Sequence, residues 1–175
     1  MLNWLANVLG LCLFRRGPED MPAAPGTLMI AAGAYAGVTF YALHTALAPA
    51  PAVLPAALQV LSLLAVTALL LNLTGHAARI PQTLNALFST AVVFALAGRL
   101  PGLVSPDLSI HEIDWKEQPP PATLWFLLGL GVWSLLVDAR IYQRALERGP
   151  GAGLFAALTV SFLQFAALAP WVAPR

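Results

Sequence analysis

From Met21 to Ala78 the chain carries no charged side chain at all. As one helix this stretch would be on the order of 85 Å long, against a bilayer core of about 30 Å, so it must fold back at least once. The rest of the chain is similarly poor in charge: 59% of residues are hydrophobic and 10% charged. A soluble domain carries roughly 45–50% apolar and about 25% charged residues. The pattern therefore predicts an all-α, polytopic membrane helix bundle. Net charge is +1, with basic residues in singles and pairs, which excludes a basic patch for nucleic acid. The lone cysteine, Cys12, can close no internal disulfide and has no companions for a metal site.

Prolines and glycines divide the apolar runs. Residues 1–16 form one unit, in which Asn3, Asn7 and Gly10 recur on one helical face ahead of Arg15 and Arg16. That spacing predicts an amphipathic interfacial helix, with both arginines at the lipid headgroups. A signal peptide would need its basic residues before the apolar core rather than after it. Residues 17–175 form a single domain with spans expected at about 27–47, 54–73, 83–100, 123–141 and 152–169. Ala48-Pro49-Ala50-Pro51 is expected to break the chain between the first two spans, because proline removes a donor and clashes with the preceding turn. The stretch 101–121, with Asp107, His111, Glu112, Asp114, Lys116 and Glu117, reads as the sizeable extramembrane loop.

Five spans put the termini on opposite sides. With the amino end in the cytoplasm, Arg15, Arg16, Arg79, Arg140, Arg144 and Arg148 lie inside, and Arg99, Lys116 and Arg175 outside. This follows the positive-inside rule and predicts a cytoplasmic amino terminus and an external carboxyl terminus in a bacterial inner membrane.

Small and polar residues recur inside the spans. Gly33, Gly37, Tyr41 and His44 share a face of the first, Gly131, Ser134 and Asp138 one of the fourth, and Gly153, Ala157, Ser161 and Gln164 one of the fifth. Helices in lipid associate by close approach at small residues and by interhelical hydrogen bonds. Gly33, Gly37 and Gly153 are therefore expected to pack within the bundle, with a homodimer seam at Gly33 and Gly37 as the alternative. Asn72, Arg79, Asn85, Ser134, Asp138 and Gln164 form a candidate polar cluster. Asp138 is the costliest of them to bury, and it is expected about one turn from the inner end of its span, paired with Arg79 or Arg144. The alternative is a proton- or ion-handling carboxylate. Gln164 lies deeper, and its amide needs a partner on a neighbouring helix. A lipid-acting site using Asp138 with His76 is a weaker third reading. No nucleophile elbow or phosphate loop occurs, and the three histidines fall in separate segments, so no cofactor or metal is expected.

Arg15-Arg16-Gly17-Pro18-Glu19-Asp20 after a short amphipathic segment, Leu73-Thr74-Gly75 leading through Arg79 to Gln82-Thr83-Leu84-Asn85-Ala86, and Trp133-Ser134-Leu135 with Gly149 and Ala152 beyond follow one another in order. Over roughly residues 14–168 this order resembles bacterial members of the Yip family, the five-span Ypt/Rab-interacting proteins. The Asp-Leu-Tyr-Gly-Pro motif of eukaryotic members is missing here, so no small-GTPase partnership is carried over. The resemblance implies a non-enzymatic membrane protein that binds or organises lipids, another membrane protein or further copies of itself. A small transporter with a polar path through Asp138 is the alternative.

Overall fold

The computed structural model describes residues 2–46, 49–101 and 121–172. Among them there is no strand; the helices are α1 (Leu2–Cys12), α2 (Pro25–Ala46), α3 (Pro49–Leu73), α4 (Ile80–Ala97), α5 (Pro121–Ala145) and α6 (Pro150–Val172). As expected from the sequence, five of them, α2 to α6, are long and apolar enough to cross a membrane. The expected outer loop lies almost wholly outside the described residues.

Each of these five helices has a proline at its first or second position: Pro25, Pro49, Pro81, Pro121 and Pro150. The first turn of a helix leaves its N–H groups unpaired, so a residue without one is at home there, with φ already set. This corrects the expected break at residues 48–51. The prolines there begin α3 instead of separating it from α2, and only Pro55 sits in the helix interior. At the other end of α3, Gly75 takes a left-handed φ of 79°, and the His76 N–H returns to the Leu71 carbonyl at 2.7 Å. The chain then enters a short 3-10 turn, Ala77–Arg79, that leads into α4.

The five long helices close into a ring in the order α2, α3, α6, α5, α4, with α4 also touching α3. Its tightest seam is α5 against α6. A β-carbon on Gly153 would collide with the Ala139 carbonyl oxygen and with Gln143, so this crossing requires glycine, as expected. The most enclosed helix is α4, whose residues Thr83 to Thr90 are all buried. The buried face of α6 is Gly153, Ala156, Ala157 and Val160, while Ser161 is exposed.

The amino-terminal helix α1 packs on α4 and α5 through Val8 and Leu11, with Leu5, Leu9 and Leu13 outward. Its expected polar face is thus turned partly toward the protein. Asn7 Nδ2 donates to the Asp20 carbonyl, and Gly10 is buried beneath the Arg16 stem. At the far end of α1, the Trp133 indole of α5 donates to the Cys12 carbonyl at 2.8 Å.

Candidate functional site

A cavity of about 40 Å³ lies where all five long helices meet. Tyr35 comes from α2, Leu63 from α3, Leu87 and Ala91 from α4, Asp138 and Tyr142 from α5, and Ala157, Val160 and Gln164 from α6. Since every member of the ring contributes, the cavity sits on the ring's axis. It has room for a water molecule or a small cation, since a water needs about 10–15 Å³ measured this way.

Asp138 stands deeper than its sequence position suggested. Helix α5 continues past Ile141 to Ala145, which puts Asp138 seven residues, or about 10 Å, from the helix end. The expected ion pair is not made. Arg79 instead donates to the Arg144 carbonyl at 2.9 Å and pairs with Glu147, and Arg144 pairs with Glu19. Both arginines stay at the end of the bundle because partners are available there. Among the described residues, Asp138 makes neither an ion pair nor a hydrogen bond, and it is partly buried against the cavity.

Around it lies a hydrogen-bonded polar frame. Gln164 Nε2 donates to the Tyr35 hydroxyl at 3.4 Å, the Tyr35 hydroxyl donates to Gln59 Oε1 at 3.5 Å, and Gln59 Nε2 donates to the Gln164 carbonyl at 3.1 Å. These bonds tie α2, α3 and α6 together and give the Gln164 amide the partner it requires. Opposite, Thr67 and Tyr142 share a buried hydroxyl–hydroxyl bond of 2.7 Å between α3 and α5.

Of the expected cluster, then, the structure brings Asp138 and Gln164 together and sends the others elsewhere. Asn72 is exposed at the end of α3 and donates to the Ala68 carbonyl of its own helix at 2.8 Å. Arg79 caps the carboxyl end of α5, where its charge complements the helix dipole. Asn85, fully buried in α4, donates to the Pro22 carbonyl at 3.0 Å and to Thr27 Oγ1 at 3.2 Å. It thereby locks the start of α2 onto the central helix. Ser134 is partly buried but does not line the cavity. Arg15 and Arg16 are exposed beyond α1, where a headgroup could reach them.

Sequence reasoning missed Tyr35, Gln59, Thr67 and Tyr142. Gln59 was the detectable one, a long amide inside an otherwise apolar run; Tyr142 lay beyond the expected end of its span.

Gly33 and Gly37 depart from the packing expected of them. Both are exposed, and a β-carbon built on either meets no atom within 4 Å among the described residues. The lower part of the same face is in use, with the Arg99 guanidinium over the Tyr41 ring at 5.4 Å.

His76 lies 3.9 Å from Glu147, not beside Asp138, and His44 stacks on Phe40; His111 lies outside the described residues. Among the described residues no group of three His, Cys, Asp or Glu could hold a metal ion. Cys12 is buried and free, and burial, with the Asp138 carboxylate second, pushes its thiol up to about 11. A thiol held protonated in this way is a poor nucleophile.

Compared with protein-family models, with curated proteins and with solved structures, the chain matches none.

Proposed function

We propose that this integral membrane protein is non-enzymatic and works by holding other membrane components, in the manner of the Yip-like proteins its sequence resembles. The observation that carries this reading is the open glycine face of α2. Gly33 and Gly37 lie one turn apart, and nothing among the described residues approaches them. In lipid, such a face lets a second helix come close enough for backbone-level packing. Its occupant is a helix of another membrane protein or of a second copy. The positive-inside distribution supports a bacterial inner membrane with the amino terminus in the cytoplasm and the carboxyl terminus outside.

The test is crosslinking in native membranes with the wild-type chain and with Gly33→Leu/Gly37→Leu. A discrete adduct that the double variant loses supports the proposal. An adduct unchanged in the variant, or none in the wild type, removes it.

A second reading has its own support, namely the unpaired Asp138 at a cavity built by every span. An ionisable side chain at that depth is a candidate for handling protons or small cations. In reconstituted vesicles, a pH-dependent flux that disappears in Asp138→Asn would establish this reading. Equal leakage from wild-type and variant vesicles would leave the carboxylate without a transport role.

A further inference from the structure

A second concavity opens on the outside of the ring, between α3 and α6. It is a groove of about 290 Å³, floored by the buried residues Leu146, Ala156 and Val160 and walled by Val66, Leu70 and the exposed Phe155. Two threonines also border it, but their hydroxyls turn back onto the main chain. Thr74 Oγ1 donates to the Leu70 carbonyl at 2.8 Å, and Thr159 Oγ1 to the Phe155 carbonyl at 2.8 Å. The groove therefore presents an apolar surface. One charged residue lines it, Arg148 in the turn between α5 and α6, which is exposed and makes no ion pair among the described residues. Its neighbours Arg79 and Arg144 are neutralised by Glu147 and Glu19.

The reach of the groove matches one leaflet. From Ala152 to Val160 along α6, and from Thr74 back to Val66 along α3, it runs about 12 Å. Half of a bilayer core is about 15 Å. A cation at the membrane boundary thus stands over an apolar slot that ends within the same leaflet.

We propose that this groove binds one anionic glycerophospholipid, with its phosphate on Arg148 and an acyl chain laid between α3 and α6. The guanidinium fork suits phosphate oxygens. Annular lipid touches any apolar surface, but this slot pairs a concave apolar wall with an uncompensated positive charge, and it therefore selects by headgroup. The site uses helices and residues different from the α2 glycine face and does not depend on the proposal made for it.

The experiment is native mass spectrometry of the full chain released from nanodiscs of mixed phosphatidylglycerol and phosphatidylcholine. The expected result is one retained phosphatidylglycerol, preferred about fivefold over phosphatidylcholine, the equivalent of about 1 kcal/mol for a basic residue near the membrane surface. Arg148→Ala should abolish the preference and Arg148→Lys should keep most of it. Thr159→Trp, which fills the groove from an exposed wall, should reduce retention of both lipids, with circular dichroism confirming that each variant is folded. Equal retention of the two lipids by the wild type, or an unchanged preference in Arg148→Ala, overturns the proposal. So does release of a dimer that Thr159→Trp converts to monomer, which would assign the groove to a second copy.

Discussion

Helices α2 and α4 are nearly equal in mean hydropathy, 1.4 and 1.5, yet 11% of the α2 span is buried and 44% of the α4 span. In water such a difference would follow apolar content. In a bilayer, lipid solvates an apolar helix as well as a neighbouring helix does, so hydropathy says that both cross and not where each stands. The distinction comes from polar side chains. Thr83, Asn85, Ser89 and Thr90 of α4 are all buried; three of them bond locally within α4 and its first turn, while Asn85 reaches the Pro22 carbonyl and Thr27 Oγ1 at the start of α2. An amide that its own helix cannot satisfy needs a partner on another segment, and this draws α4 toward the centre. The α2 helix gives the interior Ala31, Leu43 and the partly buried Tyr35, and leaves Gly33 and Gly37 outside.

That contrast can be broken or sharpened by substitution. The largest effect is expected from the glycines. Gly153→Leu drives a side chain into the α5 backbone and should cost about 3 kcal/mol or more of bundle stability, whereas Gly37→Leu meets open space and should stay within about 0.5 kcal/mol. Denaturation of the purified protein in mixed micelles measures both; comparable losses would show that the α2 face is packed after all. Next come the two asparagines. Asn85→Leu leaves the Pro22 carbonyl without its donor and should cost about 1–2 kcal/mol, against almost nothing for Asn72→Leu, whose bond stays within one helix turn. If Asn72→Leu proved the more damaging of the two, α4 would not be the organising helix. The smallest effect belongs to the end of the bundle. Arg79→Ala removes a carboxyl-terminal cap and a solvent-facing pair, and should cost at most about 1 kcal/mol, less as salt is raised. A salt-independent loss would place that pair in a drier setting than its exposure indicates.

The spans were legible because each feature that defines them is local. Charge-free runs bounded by proline and glycine leave few ways to cross a bilayer, and the five helices begin within about five residues of their expected starts. Gln164 was also recognisable as a group needing a partner, since an amide among apolar residues has no water to turn to. Where that partner would come from was not legible, nor that Asn85 would leave the expected cluster to bind the start of α2. The reading of Asp138 as an interfacial ion pair failed for a specific reason. It assumed that α5 ended near Ile141, and four further residues of helix moved the carboxylate away from both arginines. Likewise, small residues at helical spacing look the same whether they face a neighbour, as Gly153 does, or the outside, as Gly33 and Gly37 do.

The amino-acid sequence alone determined that this chain forms five helices long and apolar enough to cross a membrane, because that property depends on run length, charge and main-chain hydrogen bonding within each segment. Only the tertiary structure decided which helix is central, that Asp138 faces an axial cavity instead of a salt bridge, and that Arg148 heads an apolar groove. Those outcomes depend on the rotation and depth of each helix against its neighbours, and these are set by contacts between segments far apart in the chain.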